Sequence, residues 1–431
     1  MSASSSRGVA HPDGPVTAAL APTDPVRLLP RPSVTAYPDH LDHYGPRPVG
    51  TAALIDEVEA AGLRGRGGAG FPTATKLRAV AARSRTPVVV ANGTEGEPAS
   101  AKDKVLLQAA PHLVLDGIDL VAEVLGAGET FLCVDRNWPD VANAVERARD
   151  ERGAGRRGRR LQVVDAPDRY VAGEESALVH WLNGGEAKPT FVPPRPFERG
   201  VRGRPTFLSN VETYAQLGLI ARYGAAWYRA LGTTAAPGTT LLTVTGAVAH
   251  PGVCEAPGGS SLASVLAAAG GATAGVQAVL VGGYFGTWIP GRAVDQVGLD
   301  PVSLSGFGAS LGCGVVAVLP DHVCPLIEVA RVARWLASQN AGQCGPCMYG
   351  LPAVADALEA AVSGRPVSVG QVGGLVSLVK GRGACKHPDG MARFVESSLR
   401  VFNEHVVAHQ RQGPCVAHRP LLPVPETGGW R

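Results

Sequence analysis

The chain has 431 residues, 45% hydrophobic and 18% charged, with 55 glycines and 35 prolines. That composition suits a soluble globular protein of two to four domains with abundant loops. A formal charge of +3 is too small to argue for nucleic acid, and no apolar run reaches the length of a membrane span.

Eight cysteines are scattered rather than spaced as a disulfide framework. The N-terminus carries no charged-then-apolar signal pattern, so a cytoplasmic protein is expected, where clustered cysteines suggest metal. Met1–Pro48 is rich in Pro, Ser and Ala and reads as an extension. Apolar Leu54, Ile55 and Val58 predict a short amphipathic helix over Thr51–Gly62. A glycine-rich loop follows, then a helix at Thr75–Arg83 and a buried strand at Thr86–Val90. Further strands are expected at Phe131–Val134 and Leu161–Val164, and helices at Lys104–Leu125, Pro139–Asp150 and Glu174–Leu182. This alternation predicts an α/β sheet, partly parallel. The basic run Glu151–Arg160 reads as a solvated loop. Strands at Thr240–Val248, Gln277–Gly282 and Gly314–Leu319 around one helix, Ser261–Ala269, predict a compact α+β domain. Helices at Ile327–Ser338, Leu351–Ser363, Gly370–Val379 and Met391–Ala408 predict a terminal helical bundle.

Gly62-Leu-Arg-Gly65-Arg66-Gly67-Gly68-Ala-Gly70-Phe71 is the most informative stretch. Its glycines permit positive φ and close approach of a ligand to the backbone, and successive amides form an anion site to which arginine adds forked donors. A phosphate cradle is expected. Gly65-x-Gly67-x-x-Gly70 matches the dinucleotide fingerprint, but it follows a helix rather than a strand, which disfavours an ordinary Rossmann site. Asn92, Glu95 and Glu97 lie just past a strand, where ligands of α/β sheets collect; a turn with solvated acids is the bland alternative. Tyr170-Val-Ala-Gly-Glu174-Glu175 repeats that pattern, although acids in a first helical turn also serve simply as dipole partners. Cys344-Gly-Pro-Cys347, with Cys385 downstream, suits an iron–sulfur cluster, a redox dithiol, a zinc site completed by His387, or unligated packing thiols. Cys133, Cys254, Cys313, Cys324 and Cys415 show no ligand spacing and read as packing residues.

In this order, GLRGRGGAGFPTATK, NGTEGEPASAKDK, YVAGEESAL, SNVET and the cysteine region resemble the NADH-oxidising flavoprotein of respiratory complex I, the family of NADH:quinone oxidoreductase F subunits. Related subunits occur in NAD-linked hydrogenases and formate dehydrogenases. The resemblance runs from about Thr51 to Val407. It implies an α/β FMN domain of modified Rossmann-like fold, a β-grasp soluble-ligand-binding domain and a C-terminal helical bundle carrying a [4Fe–4S] cluster. The boundaries expected are 1–48 for an extended or disordered segment, 49–238 for the FMN/NADH domain, 239–324 for the β-grasp domain, 325–412 for the helical iron–sulfur domain, and 413–431 for a tail.

By the same resemblance, Gly65, Arg66, Gly67, Gly68 and Lys76 line the FMN pocket. Asn92, Tyr170, Glu174, Asn210 and Thr213 complete the flavin and nicotinamide sites, with Glu95 and Glu175 as carboxylates of the catalytic centre. Glu97 joins the nucleotide pocket, and Phe71 packs near the bound nucleotide. Cys344, Cys347 and Cys385 are the implied metal ligands. The implied activity is hydride transfer from NADH to FMN, then single electrons through the cluster to an iron–sulfur partner protein, ferredoxin or quinone-reducing complex. No nucleic acid partner or direct membrane insertion is expected.

Four positions depart from the family pattern. Ala341 stands where the first cluster cysteine falls, leaving three thiolates; one open iron, an extra ligand such as His387, or no cluster all remain consistent. Thr94 replaces an acid, Ala79 an aromatic, and Val192, before Pro193-Pro194, a basic residue for which Arg195 is the nearby substitute. A divergent paralogue follows, with weakened NADH binding. A non-catalytic flavin-binding or assembly scaffold and a ferredoxin-linked flavoprotein are the alternatives.

Overall fold

A computed structural model describes residues 27–153, 161–416, 419–426 and 429–430. Residues 1–26 and most of the Arg-rich run lie outside the described residues. Two sheets organise the rest.

The first sheet is wholly parallel, in the order β3-β2-β1-β4. Its elements begin with α1 (Tyr37–Tyr44), α2 (Ala53–Ala61) and α3 (Thr73–Ala81), followed by β1 (Val88–Gly93), α4 (Lys102–Ala109), α5 (Pro111–Leu125) and β2 (Glu129–Asp135). After these come α6 (Pro139–Glu151), β3 (Leu161–Ala166), α7 (Glu175–Leu182), β4 (Thr206–Asn210) and α8 (Val211–Arg229). Val88–Ala91 are fully buried, as a strand covered on both faces requires. Helices α5 and α8 meet backbone to backbone: a Cβ on Gly117 would lie 1.9 Å from the Tyr214 carbonyl oxygen. The Tyr214 hydroxyl then reaches the Val90 carbonyl at 3.0 Å, tying α8 to the sheet.

Two expectations change here. The single helix over Lys104–Leu125 is two helices bent by 95°, because Pro111 has no amide to continue the ladder and excludes helical geometry at Ala110. Residues 27–48 are packed rather than extended. Leu28, Leu29 and Tyr44 are buried, and His40 meets Asp116 at 2.8 Å. Arg152 and Arg222 both pair with Asp116 and, with His40, hold its carboxyl well below the usual range against the cost of burial.

The second sheet, in the order β6-β5-β9-β7-β8, comprises β5 (Thr239–Gly246), β6 (Gly252–Pro257), β7 (Val276–Val281), β8 (Thr287–Pro290) and β9 (Val315–Pro320), with α9 (Leu262–Ala268) and a short α10 (Pro301–Ser305). Only the β5–β9 pair is parallel. Strand alternation serves both faces. Val279, Val281, Val316 and Val318 pack with α9, whereas Leu280, Val315 and Leu319 pack with the terminal helices.

Those helices are α11 (Pro325–Ser338), α12 (Leu351–Val362), α13 (Val369–Val379), α14 (His387–Val401) and α15 (Asn403–Gln412). The helix expected over Met391–Ala408 breaks at Phe402, which is buried with its ring 5.3 Å from that of Trp288. Among the described residues no single helix is long and apolar enough to cross a membrane.

Candidate functional site

The glycine loop closes on itself. Gly62 ends α2 at φ +72°, Gly65 N–H donates to the Phe71 carbonyl at 2.9 Å, and Thr73 N–H donates to that of Leu63 at 3.0 Å. Gly68 and Gly70 take φ of +106° and +60°, where a side chain would be strained. Among the described residues no acceptor outside the loop engages the amides of Gly67, Gly68, Ala69 and Gly70. The loop sits over the carboxyl ends of β1 and β4, where Asn92 and Asn210 pair in register. A Cβ on Gly67 would come within 3.3 Å of Asn210 Cβ, and Arg66 N–H donates to Thr213 Oγ1 at 3.0 Å. This open ring of amides fits a phosphate-bearing ligand.

The Arg66 guanidinium is engaged by protein groups beneath the loop. The side chain turns inward, donating to the Tyr228 hydroxyl at 2.9 Å and the Thr239 carbonyl at 3.0 Å, with buried Glu212 at 3.8 Å. A fully buried carboxylate needs positive charge nearby, and Arg66 shares that task with Lys102, 3.0 Å from Glu212 and 2.6 Å from Asp103. Asn210 links this network to the sheet: Nδ2 donates to Asp103 at 2.6 Å, and Oδ1 caps α8 through the Glu212 amide at 3.0 Å. Lys102, Asp103 and Glu212 escape the sequence reading as site residues, although they lie inside the NGTEGEPASAKDK and SNVET motifs.

The four expected acids divide sharply. Glu95, at φ +36°, accepts from the Asp103 and Lys104 amides at 3.1 Å and from Ser100 Oγ, so it anchors the start of α4. Burial and then Asp103 push its carboxyl upward. Glu97 accepts from Tyr284 N–H at 2.7 Å and from the Tyr170 hydroxyl at 3.0 Å, and burial pushes it up to about 7. Glu174 caps α7 through the Ser176 and Ala177 amides at 2.9 and 3.2 Å. Only Glu175 keeps an open face: its side chain is 33% exposed and accepts from Lys76 Nζ at 2.6 Å. Lys76 also donates to the Leu208 carbonyl on β4 at 2.6 Å. Phe71, 53% exposed, offers an uncovered ring at the loop's end.

The β1 turn, the Tyr170 turn and the second sheet interlock. Asn92 Nδ2 donates to the Gly173 carbonyl at 2.8 Å. A Cβ on Gly96 would lie 2.8 Å from the Tyr170 carbonyl oxygen, and one on Gly283 would lie 2.5 Å from Glu97 Oε2. Ala101 N–H donates to Thr243 Oγ1 on β5 at 3.0 Å.

Behind Tyr170 lies the thiol centre. Tyr170 packs edge-on against Phe285, Trp335 and His387, with ring centres 4.7, 5.3 and 5.9 Å away. Cys347 is buried; burial raises its thiol, which is hydrogen-bonded to Cys344, sits near Cys385 and accepts from the Ala341 amide. Three thiols therefore converge, and buried Ala341 lies beside them without a donor atom. His387 spends Nε2 on the Leu336 carbonyl at 2.8 Å.

Cys324 and Cys415 are not isolated packing residues. Their sulfurs converge with His405 and His409, all four ligand atoms within 4.8 Å of one another. Only Cys324 is remote in sequence; the His405-x3-His409 spacing on one helix, with Cys415 six residues on, is the signal that could have found the group.

These features define a nucleotide-binding α/β protein with a separate thiol centre. Residues 58–218 match the family model described as the Nuo51 FMN-binding domain, 241–283 the SLBB domain, and 328–409 the NADH-ubiquinone oxidoreductase-F iron-sulfur binding region. The F 2 subunit of NADH-quinone oxidoreductase from Rhizobium meliloti (strain 1021) is 31% identical over 385 residues, covering 85% of this chain and 90% of that protein. The corresponding F subunit from Mycobacterium bovis is 31% identical over 388 residues, covering 84% and 85%. A crystal structure of NAD+-reducing [NiFe]-hydrogenase in the H2-reduced state superposes with a TM-score of 0.77 at 32% identity, covering 84% of this chain. This chain spans 63% of the length of that hydrogenase chain. The chain belongs to the family of NADH-quinone oxidoreductase F subunits.

Proposed function

We propose that this chain is an NADH-oxidising flavoprotein with FMN and a [4Fe–4S] cluster as cofactors, delivering electrons to an iron–sulfur partner. The observation that carries this reading is the closed glycine ring, its amides open above the ends of β1 and β4. Bound FMN supplies hydride acceptance and single-electron release, and the cluster supplies one-electron transfer.

The protein's contribution is placement. The Gly67–Gly70 amides grip the phosphate, with Lys76 as the adjacent cation and Glu175 as its counter-charge and hydrogen-bond acceptor. Phe71 offers a face to a nucleotide ring. Glu95, Glu97 and Glu174 hold the turns that shape the pocket, and no proton-transferring side chain is needed for a hydride step. Asn210 and Thr213 hold the loop over the sheet, and Asn92 ties the end of β1 to the Tyr170 turn. Cys344, Cys347 and Cys385 would hold the cluster, with Ala341 offering no fourth thiolate. We assign 49–238 to the FMN/NADH domain, 239–324 to a β-grasp domain, 325–412 to the iron–sulfur helices and 413–431 to the tail. The protein works in the cytoplasm, peripheral to a larger assembly.

Anaerobic titration with NADH tests the reading. Flavin absorbance bleaches, and an artificial acceptor restores it. Flavin that is present but never bleached overturns NADH as donor.

A further inference from the structure

We infer that Cys324, His405, His409 and Cys415 form a structural zinc site fastening the C-terminal segment to the start of α11. Cys415 Sγ lies 3.3 Å from His405 Nε2 and 3.1 Å from His409 Nε2, and Cys324 Sγ lies 3.4 Å from His409 Nε2. A tetrahedral zinc with bonds of about 2.3 Å to sulfur and about 2.05 Å to nitrogen would separate those atoms by about 3.6 Å. Movements of a few tenths of an ångström would therefore admit the ion. His405 and His409 stand one turn apart on α15 and so share a face. The Leu326 and Ile327 amides point at the Cys324 sulfur, supplying the outer hydrogen bonds that orient a thiolate ligand.

The donor set selects the metal. Two thiolates and two imidazoles suit zinc and disfavour magnesium, calcium or manganese. Two thiolate charges also balance the dication. Four protein ligands leave no open position, which marks a structural rather than catalytic site.

This site is separate from the Cys344 centre. The two flank opposite ends of α11, whose 14 residues span about 21 Å, so neither Cys324 nor Cys415 can replace the cysteine missing at Ala341. Leu421, Leu422 and Pro425 lie along α11. Leu421 and Leu422 amides donate to Glu328 at 3.2 and 2.9 Å, and Trp335 Nε1 donates to the Pro425 carbonyl at 2.9 Å. Arg169, next to Tyr170, lies 4.4 Å over the Trp430 ring. The zinc would pin Cys415 to the start of α11.

The test measures zinc, iron and flavin on the full-length holoprotein. About one zinc per chain is expected in the wild type. Cys415→Ser and His405→Gln should lower zinc occupancy roughly ten-fold or more while iron and flavin per chain hold. Cobalt(II) added to zinc-depleted wild type should give thiolate charge-transfer and tetrahedral d–d bands, a readout independent of whether any variant folds. Three results overturn the inference: wild type without stoichiometric zinc and without the cobalt spectrum, zinc unchanged in Cys415→Ser, or a Cys324–Cys415 disulfide in peptide maps of unreduced protein. None of these bears on flavin reduction by NADH, so the two readings fail separately.

Discussion

Replacing Lys76 with methionine separates the pocket's chemistry from the fold's stability. Lys76 and Glu175 meet at 2.6 Å with side chains 20% and 33% exposed, so solvent screens the pair and it contributes about 1 kcal/mol or less to stability. A charge-assisted hydrogen bond to a ligand phosphate is worth about 1.5–3 kcal/mol, or roughly 10- to 150-fold in affinity. Lys76→Met should therefore shift the apoprotein's unfolding midpoint slightly and weaken FMN binding by one to two orders of magnitude. Titration of flavin-stripped protein, followed by quenching of FMN fluorescence, measures the second quantity. Arg78→Met is the control: Arg78 stands on the same helix, but its partners are exposed Asp56 and Glu59, and FMN affinity should not change. Wild-type FMN affinity in Lys76→Met would refute the placement of the phosphate.

Gly96→Ala should destabilise the fold by about 1–3 kcal/mol and deplete bound flavin, since the new methyl meets backbone oxygen at Tyr170; an unchanged melting curve would contradict the interlock. Ala341→Cys should add a fourth thiolate and slow loss of iron in air, measured by iron content and electron paramagnetic resonance; identical iron retention would show that residue 341 does not face the cluster. Glu97 carries a pH signature. Its folded value of about 7 stands above the ordinary 4.5, so the fold binds the extra proton between these values, and its stability contribution falls as pH rises through them, by roughly 3 kcal/mol. Urea midpoints at pH 5 and pH 8 should show Glu97→Gln gaining on wild type at the higher pH, and a constant difference would exclude the assignment.

Much of the frame is readable because its signals are local. Val88-Val89-Val90 announces a buried strand, and the apolar runs over Gln277–Gly282 and Gly314–Leu319 announce two strands of the second sheet. Strand β4 escapes because Thr206-Phe-Leu-Ser-Asn210 is short and follows a loop dense in proline and arginine. The glycine ring is legible, since glycine's backbone freedom belongs to the residue itself. The fate of Arg66 is not: a guanidinium beside glycines suits a phosphate equally well, and only the fold brings Glu212 close enough to claim it. The protein partners of the acids are likewise only partly legible. Glu95, Glu97 and Glu174 stand where ligand-binding carboxylates stand; the cap that Glu174 makes on α7 is local and readable, whereas the amide beside β7 that Glu97 satisfies is visible only once the chain has folded.

The pocket is assembled from both sheets. Tyr284 and Gly283 close over Glu97, and the Leu241 amide on β5 donates to Glu212 at 3.0 Å. A fragment ending at residue 238 would remove partners from two buried carboxylates, Tyr284 from Glu97 and Leu241 from Glu212. Coloured protein would then report more than cofactor supply: uptake of the chromophore becomes a maturation checkpoint, passed only by chains whose two halves have already docked.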